Sequence, residues 1–169
     1  MLDPSKVPDV TDEETLARFV MVQGNIRADG TLRHNEFIPP ASGKLSVMRH
    51  LQATTDEIWD EGREVARLRG KRLLARADFA AGECRSVGLR VTASPVELDP
   101  PSTAEPRRRL ANPNHADVVY PTFAATHPGS PLPKADRMAI AKALVANGLR
   151  VIFAPVTSAD PDSAANSPG

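Results

Sequence analysis

Three β-rich runs follow one another before the first strong helix: ARFVMVQGNI (17–26), TLRHNEFI (31–38) and KLSVMR (44–49). Parallel neighbours need a long crossover between them, usually a helix, whereas antiparallel neighbours are joined by short turns. Strand runs and helices mix here without strict alternation, so a doubly wound fold is disfavoured. The expectation is an α+β fold: a single compact domain with a mixed or mainly antiparallel twisted sheet and two or three helices. The first two runs meet around Ala28-Asp29-Gly30, where Asp-Gly tolerates positive φ and predicts a hairpin. PPASG, residues 39–43, is the turn into the third strand.

The segment TTDEIWDEGREVARLRG, residues 54–70, carries both ends of a helix. Thr54 can cap and Glu57 can close a capping box, acids crowd the first turn, arginines the last, and Gly70 can stop it. Ile58, Val65 and Leu68 share one face, with Trp59 and Ala66 at its margin. Gly62 is out of place in a helix interior, where glycine costs about 1 kcal/mol against alanine. Another backbone is expected to approach there.

Further on, RLLARADF reads as a strand, AAGECRSVG as a short helix and LRVTASPV as a strand, in β-α-β order. HADVVYP (115–121) is a strand and PKADRMAIAKALVANG (133–148) a helix, with Pro133 in its first turn and Gly148 at its end. LRVIFAP (149–155) is an apolar strand expected to be central or covered on both sides. Between them, residues 97–114 hold four prolines and three consecutive arginines, the mark of a long exposed loop. The expected organisation is a flexible tail over 1–14, one domain over 15–155 and a disordered tail over 156–169.

A chain of 169 residues can bury one sizeable core. Aromatic residues make up 4% of it, so that core must be aliphatic. Basic and acidic residues balance at 21 each, and no global field draws the chain to nucleic acid or an anionic membrane. Cys84 is the single cysteine, which excludes an internal disulfide and predicts a buried, inert thiol. The acidic, proline-broken start does not resemble a secretory signal, and no apolar run approaches the ~20 residues of a membrane-spanning helix. A cytoplasmic location is the expectation.

Two short patterns carry chemistry. On a strand, residues two apart share a face, so His34 and Glu36 would point together, as would His115 and Asp117. Brought to one pocket, two imidazoles and two carboxylates suit zinc, manganese or iron, or serve as general acid and base without metal. Neither pattern is a specific motif, and separate surface pairs are the plainer reading. His50 and His127 are expected to be solvated. Arg76 and Asp78 also share a strand face, opposite Ala75 and Ala77; a surface ion pair is preferred, but burial would make them a polar centre, orienting His115 or binding an anion. Basic residues cluster in 63–76 and 106–110, a nucleic-acid footprint only if acids did not alternate through the helix. No phosphate-cradling glycine loop and no GxSxG occurs.

In FIPPASGKLSVMRH, DEIWDEG, LLARADF, VGLRV and NHADVVYP, the chain resembles a family of small uncharacterised bacterial proteins in which a proline-terminated strand precedes an LSV-x-R strand, a DEIW-x-x-G helix, an ARAD strand and a strand opening on His-Ala. The resemblance covers most of residues 19–121. It implies a bacterial or phage-associated chain whose residues 15–155 fold together, and it brings no activity or ligand. Arg49, Trp59, Arg76, Asp78 and His115 are the positions it singles out.

The preferred functional expectation is a small cytoplasmic binding or accessory protein acting on a protein partner or a small anionic ligand, with Arg49, Arg76 and Asp78 as the binding residues and no cofactor. A metal-assisted hydrolase or nuclease, acting on a phosphoester through a divalent metal held by His34, Glu36, His115 and Asp117, is the alternative. A nucleic-acid-binding module using the basic segments is the third reading.

Overall fold

Chain order gives the strands β1 (Thr15–Val20), β2 (Lys44–Arg49), β3 (Ala75–Ala80), β4 (Arg90–Ala93), β5 (His115–Val119), β6 (Thr122–Phe123), β7 (Ser130–Pro131) and β8 (Arg150–Phe153) in the computed structural model, which describes residues 2, 3, 6–123 and 129–156. Six of them form one sheet in the order β4-β5-β2-β1-β3-β8, and every pairing is antiparallel. β6 and β7 make a separate two-stranded ribbon. Among the described residues the helices are α1 (Thr55–Leu68), α2 (Ala81–Ser86) and α3 (Lys134–Ala146). The fold is α+β, as the unalternated strand runs predict.

Strand alternation divides the side chains between two faces. Leu16, Val20, Leu45, Val47, Ala75, Ala77, Phe79, Ala116 and Val118 point to the first, where Cys84 of α2 and Ala141 and Leu144 of α3 complete the larger core. Ala17, Phe19 and Met48 point to the second and meet Ile58, Trp59 and Ala66 of α1. The capping box of α1 is formed: Thr54 accepts from the Glu57 backbone N–H while Glu57 accepts from that of Thr54. Gly62 lies buried on the underside of α1, where a β-carbon would stand 2.9 Å from the Phe19 ring and from Leu73. Side chains approach it, and not the backbone expected from sequence.

Several expectations are corrected. TLRHNEFI is not a strand: His34–Phe37 is a short 3-10 helix, and the predicted hairpin shrinks to one bridge between Ile26 and Leu32. Both edges of β1 are already taken, by β2 and β3, so this run has no ladder to join. It packs on the first face instead, burying Phe37 against Phe79 edge-to-face at 5.6 Å, with Tyr120 Oη donating to the Phe37 carbonyl at 2.6 Å. LRVIFAP is not central. β8 is an edge strand, covered on both faces at Val151 and Ile152 but leaving Phe153 56% exposed. β3, α2 and β4 follow one another as expected, with β3 and β4 separated in the sheet by three strands.

Two segments expected to be loose are anchored. Residues 97–107 are largely exposed, but Arg108, Asn112 and Asn114 are buried, and Arg108 grips Glu61 of α1 through both carboxylate oxygens. In the segment expected as an N-terminal tail, Val10 joins the core, and the Pro8 and Asp9 carbonyls accept from Arg49. Of the expected C-terminal tail only Val156 is among the described residues, and His127 also lies outside them.

Candidate functional site

Register sets the floor of the site. On the second face Asp78 of β3 lies between Ala17 of β1 and Arg150 of β8, and Arg76 lies between Phe19 and Ile152. His50, just past β2, falls two residues after Met48 and so points to the same face. Its Nε2 is 3.4 Å from Asp78 Oδ1, which is also 3.2 Å from Arg76 Nε. Trp59 descends from the first half of α1 and stacks on the Arg76 guanidinium, 4.7 Å from the ring centroid. His50, Arg76, Asp78 and Arg150, with Thr15 at the margin, line a cleft of about 390 Å³.

Burial makes this cluster unusual. Arg76 and Asp78 keep only 7% and 9% of their side-chain surface, so the preferred surface reading of this pair is corrected. Ala75 and Ala77 turn the strand's other face into the core, and α1 closes over this one. Among the described residues Arg76 donates no hydrogen bond: Nε and Nη1 are buried without a partner, as are Asp78 Oδ1 and His50 Nε2. Arg76 and Asp78 attract at 3.2 Å without hydrogen-bond alignment. An unsatisfied buried donor costs about 1–3 kcal/mol, more when charged. One carboxylate offsets one of the two arginines. With His50 neutral the cleft carries a single positive charge, and with His50 protonated, two.

Arg49, the third expected binding residue, does something else. It points to the first face, has no exposed surface, and has all three guanidinium nitrogens engaged: Nε and Nη2 donate to Glu14 at 2.7 and 2.8 Å, Nη1 to the Pro8 carbonyl and Nη2 also to that of Asp9. Arg49 ties the N-terminal segment to the sheet.

The two His-x-acid pairs do not meet. His34 and Glu36 sit on the 3-10 helix of the first face, and Glu36 is occupied by Arg18 at 3.2 Å and Asn25 at 2.8 Å. His115 and Asp117 share the second face of β5, as alternation predicts. His115 Nδ1 lies 2.8 Å from both the carbonyl and the hydroxyl oxygen of Ser94. Asp117 faces Lys44 at 3.7 Å. Among the described residues no three His, Cys, Asp or Glu side chains gather to hold a metal ion.

Several arginines of the basic segments are engaged internally. Arg67 forks onto Glu64 at 2.8 and 2.9 Å, Arg107 and Arg109 contact Glu105, and Arg108 contacts Glu61. Hydrogen bonds from Arg67 and from the Arg109 backbone hold the Glu64 carboxyl down at about 2. Burial pushes the Cys84 thiol up to about 12, so it is not a nucleophile at neutral pH.

Sequence reasoning named Arg76 and Asp78 but paired them with the wrong histidine, and it missed Arg150. A signal for His50 was present, since His50 follows Ser46 and Met48 at period two; Arg150 depended on which strand lies beside β3. No protein-family model, curated protein or solved structure matches the chain.

Proposed function

We propose that the protein is a cytoplasmic binding protein for a small oxyanion, a carboxylate or phosphate, taken up in the cleft of His50, Arg76, Asp78 and Arg150. The observation that carries this reading is the Arg76 guanidinium: buried, braced by Trp59 and Asp78, and without a hydrogen-bond acceptor among the described residues. A guanidinium presents a planar fork that matches carboxylate and phosphate oxygens, and a low-dielectric wall strengthens the pairing. Arg150 supplies a second, exposed cation at the mouth. Asp78, 3.2 Å from the guanidinium, offsets one of the two arginine charges and leaves the cleft net positive. Among the described residues no helix is long and apolar enough to cross a membrane.

Trp59 is the only tryptophan in the chain and touches Arg76, so its fluorescence reports on the cleft directly. Titration with inorganic phosphate and with acetate should change that emission saturably, while chloride at matched ionic strength should not. Arg150→Gln should weaken binding, and Arg76→Lys, which keeps the charge but loses the fork, should abolish the saturable change in a folded protein. Identical responses to phosphate, acetate and chloride, or an Arg76→Lys protein that binds like the parent, would refute the reading.

A further inference from the structure

β8 is the last strand of the sheet, and among the described residues nothing pairs with its outer side. The Ala154 N–H donates to the Leu74 carbonyl at 2.9 Å, and antiparallel alternation then turns the backbone groups of Arg150 and Ile152 toward β3 and those of Val151 and Phe153 outward. An open row of donors and acceptors results. Proteins usually blunt such an edge with lysine, proline or a bulge. Arg150–Phe153 holds neither lysine nor proline, and it follows β3 residue for residue.

The side chains beside this edge form a projection and a hollow. Phe153, on the first face opposite Ala75, is 56% exposed. Two residues back on the same face, Val151 lines a cleft of about 460 Å³ together with Leu32, Val145 and Leu149. Arg27 and Asp29 border that cleft but are engaged with Leu32 and Thr31. An exposed ring next to an aliphatic hollow on one strand is complementary to itself, which is what a twofold interface between identical chains requires.

We infer that β8 pairs antiparallel with β8 of a second copy of this chain, about a twofold axis at Ile152, joining the two sheets into one. In this register Val151 of each copy faces Phe153 of the other, so the outward N–H and C=O of both residues are bonded. Each ring then enters the hollow beside the other copy's Val151, an aromatic against a β-branched side chain. Ile152 meets its own counterpart on the second face, and Arg150 meets Ala154, so no like charges are opposed. Slipping two residues one way would set Val151 against Pro155, which has no N–H; slipping the other way would set Arg150 against Ile152. Basic and acidic residues balance at 21 each, so two copies approach without long-range repulsion. The seam is short, and the dimer it makes is reversible and grows with concentration.

The test is sedimentation of the full chain over about a thousandfold range of concentration, which should carry it from monomer toward dimer and no further. Phe153→Lys keeps the backbone donor but puts a charge into the hollow, and should weaken dimerisation about tenfold or more. Phe153→Pro removes one outward N–H together with the ring and should abolish it; if that variant fails to fold, the lysine variant still decides. Register is read by crosslinking: Ile152→Cys lies on the axis, where directly opposed residues come within disulfide reach, and should give a linked dimer on mild oxidation. Arg150→Cys, opposite Ala154, should not, and the buried Cys84 leaves the background low. A monomer at every concentration, open-ended larger species, a dimer that Phe153→Lys leaves intact, or equal crosslinking at 150 and 152 would overturn the inference.

Discussion

A single hydrogen atom is what Gly62 presents to the Phe19 ring and to Leu73, and that absence of a side chain lets α1 settle on β1. Helix propensity alone predicts that Gly62→Ala gains about 1 kcal/mol. The added methyl would stand 2.9 Å from both neighbours, and overpacking of this kind costs about 1–3 kcal/mol. Since Phe19 is itself buried between sheet and helix, a net loss is expected, read as a lower urea midpoint at unchanged slope; a raised midpoint would mean that Phe19 can step aside. Arg76 offers a second residue-level test. Arg76→Met leaves Asp78 buried with only His50 and the exposed Arg150 beside it, at a cost of about 3–5 kcal/mol, whereas adding Asp78→Leu removes the stranded charge and should recover most of the loss. If the double variant is no more stable than the single one, the pair is not the electrostatic unit described here.

At the level of elements, α1 organises the molecule around itself. Its apolar side covers the second face of the sheet, and its buried acids Glu61 and Glu64 clamp the segment that leads into β5. The Glu64 carboxyl is held at about 2 against an ordinary 4.5, chiefly by the Arg67 fork and then by the Arg109 N–H. A carboxylate whose folded value lies below its unfolded one contributes stability above the unfolded value and loses it as pH falls toward the folded one. The stability gap between the parent and Glu64→Gln should therefore be full at pH 5–7 and close between about 4.5 and 2. A gap that persisted unchanged at pH 2 would place its origin in packing. The capping box, the paired alanines opposite Arg76 and Asp78, and the shared face of His115 and Asp117 were legible in the sequence, because each rests on contacts within four residues. TLRHNEFI was not, since a strand exists only where a neighbouring edge is free and β1 had none to offer.

Over the whole molecule, one antiparallel sheet separates two environments: a larger aliphatic core beneath α2 and α3, and a smaller core beneath α1 flanked by the cleft of His50, Arg76, Asp78 and Arg150. Cys84 lies inside the larger core with a thiol raised to about 12, so it serves as a reporter of global opening. Labelling by a thiol reagent at pH 8 should be negligible in the native protein and should rise with urea in step with loss of far-UV signal. Labelling well ahead of that transition would reveal a local opening at α2. The sequence by itself determined the kinds of most elements and their punctuation, the fold class, and the shared faces of residue pairs on β3 and β5, since backbone hydrogen bonding and side-chain periodicity act over a few residues. Only the tertiary structure decided strand order, the burial of Arg76 and Asp78, the choice of His50 and Arg150 as their neighbours, and the separation of His34 and Glu36 from His115 and Asp117, because those outcomes depend on which distant surfaces exclude water together.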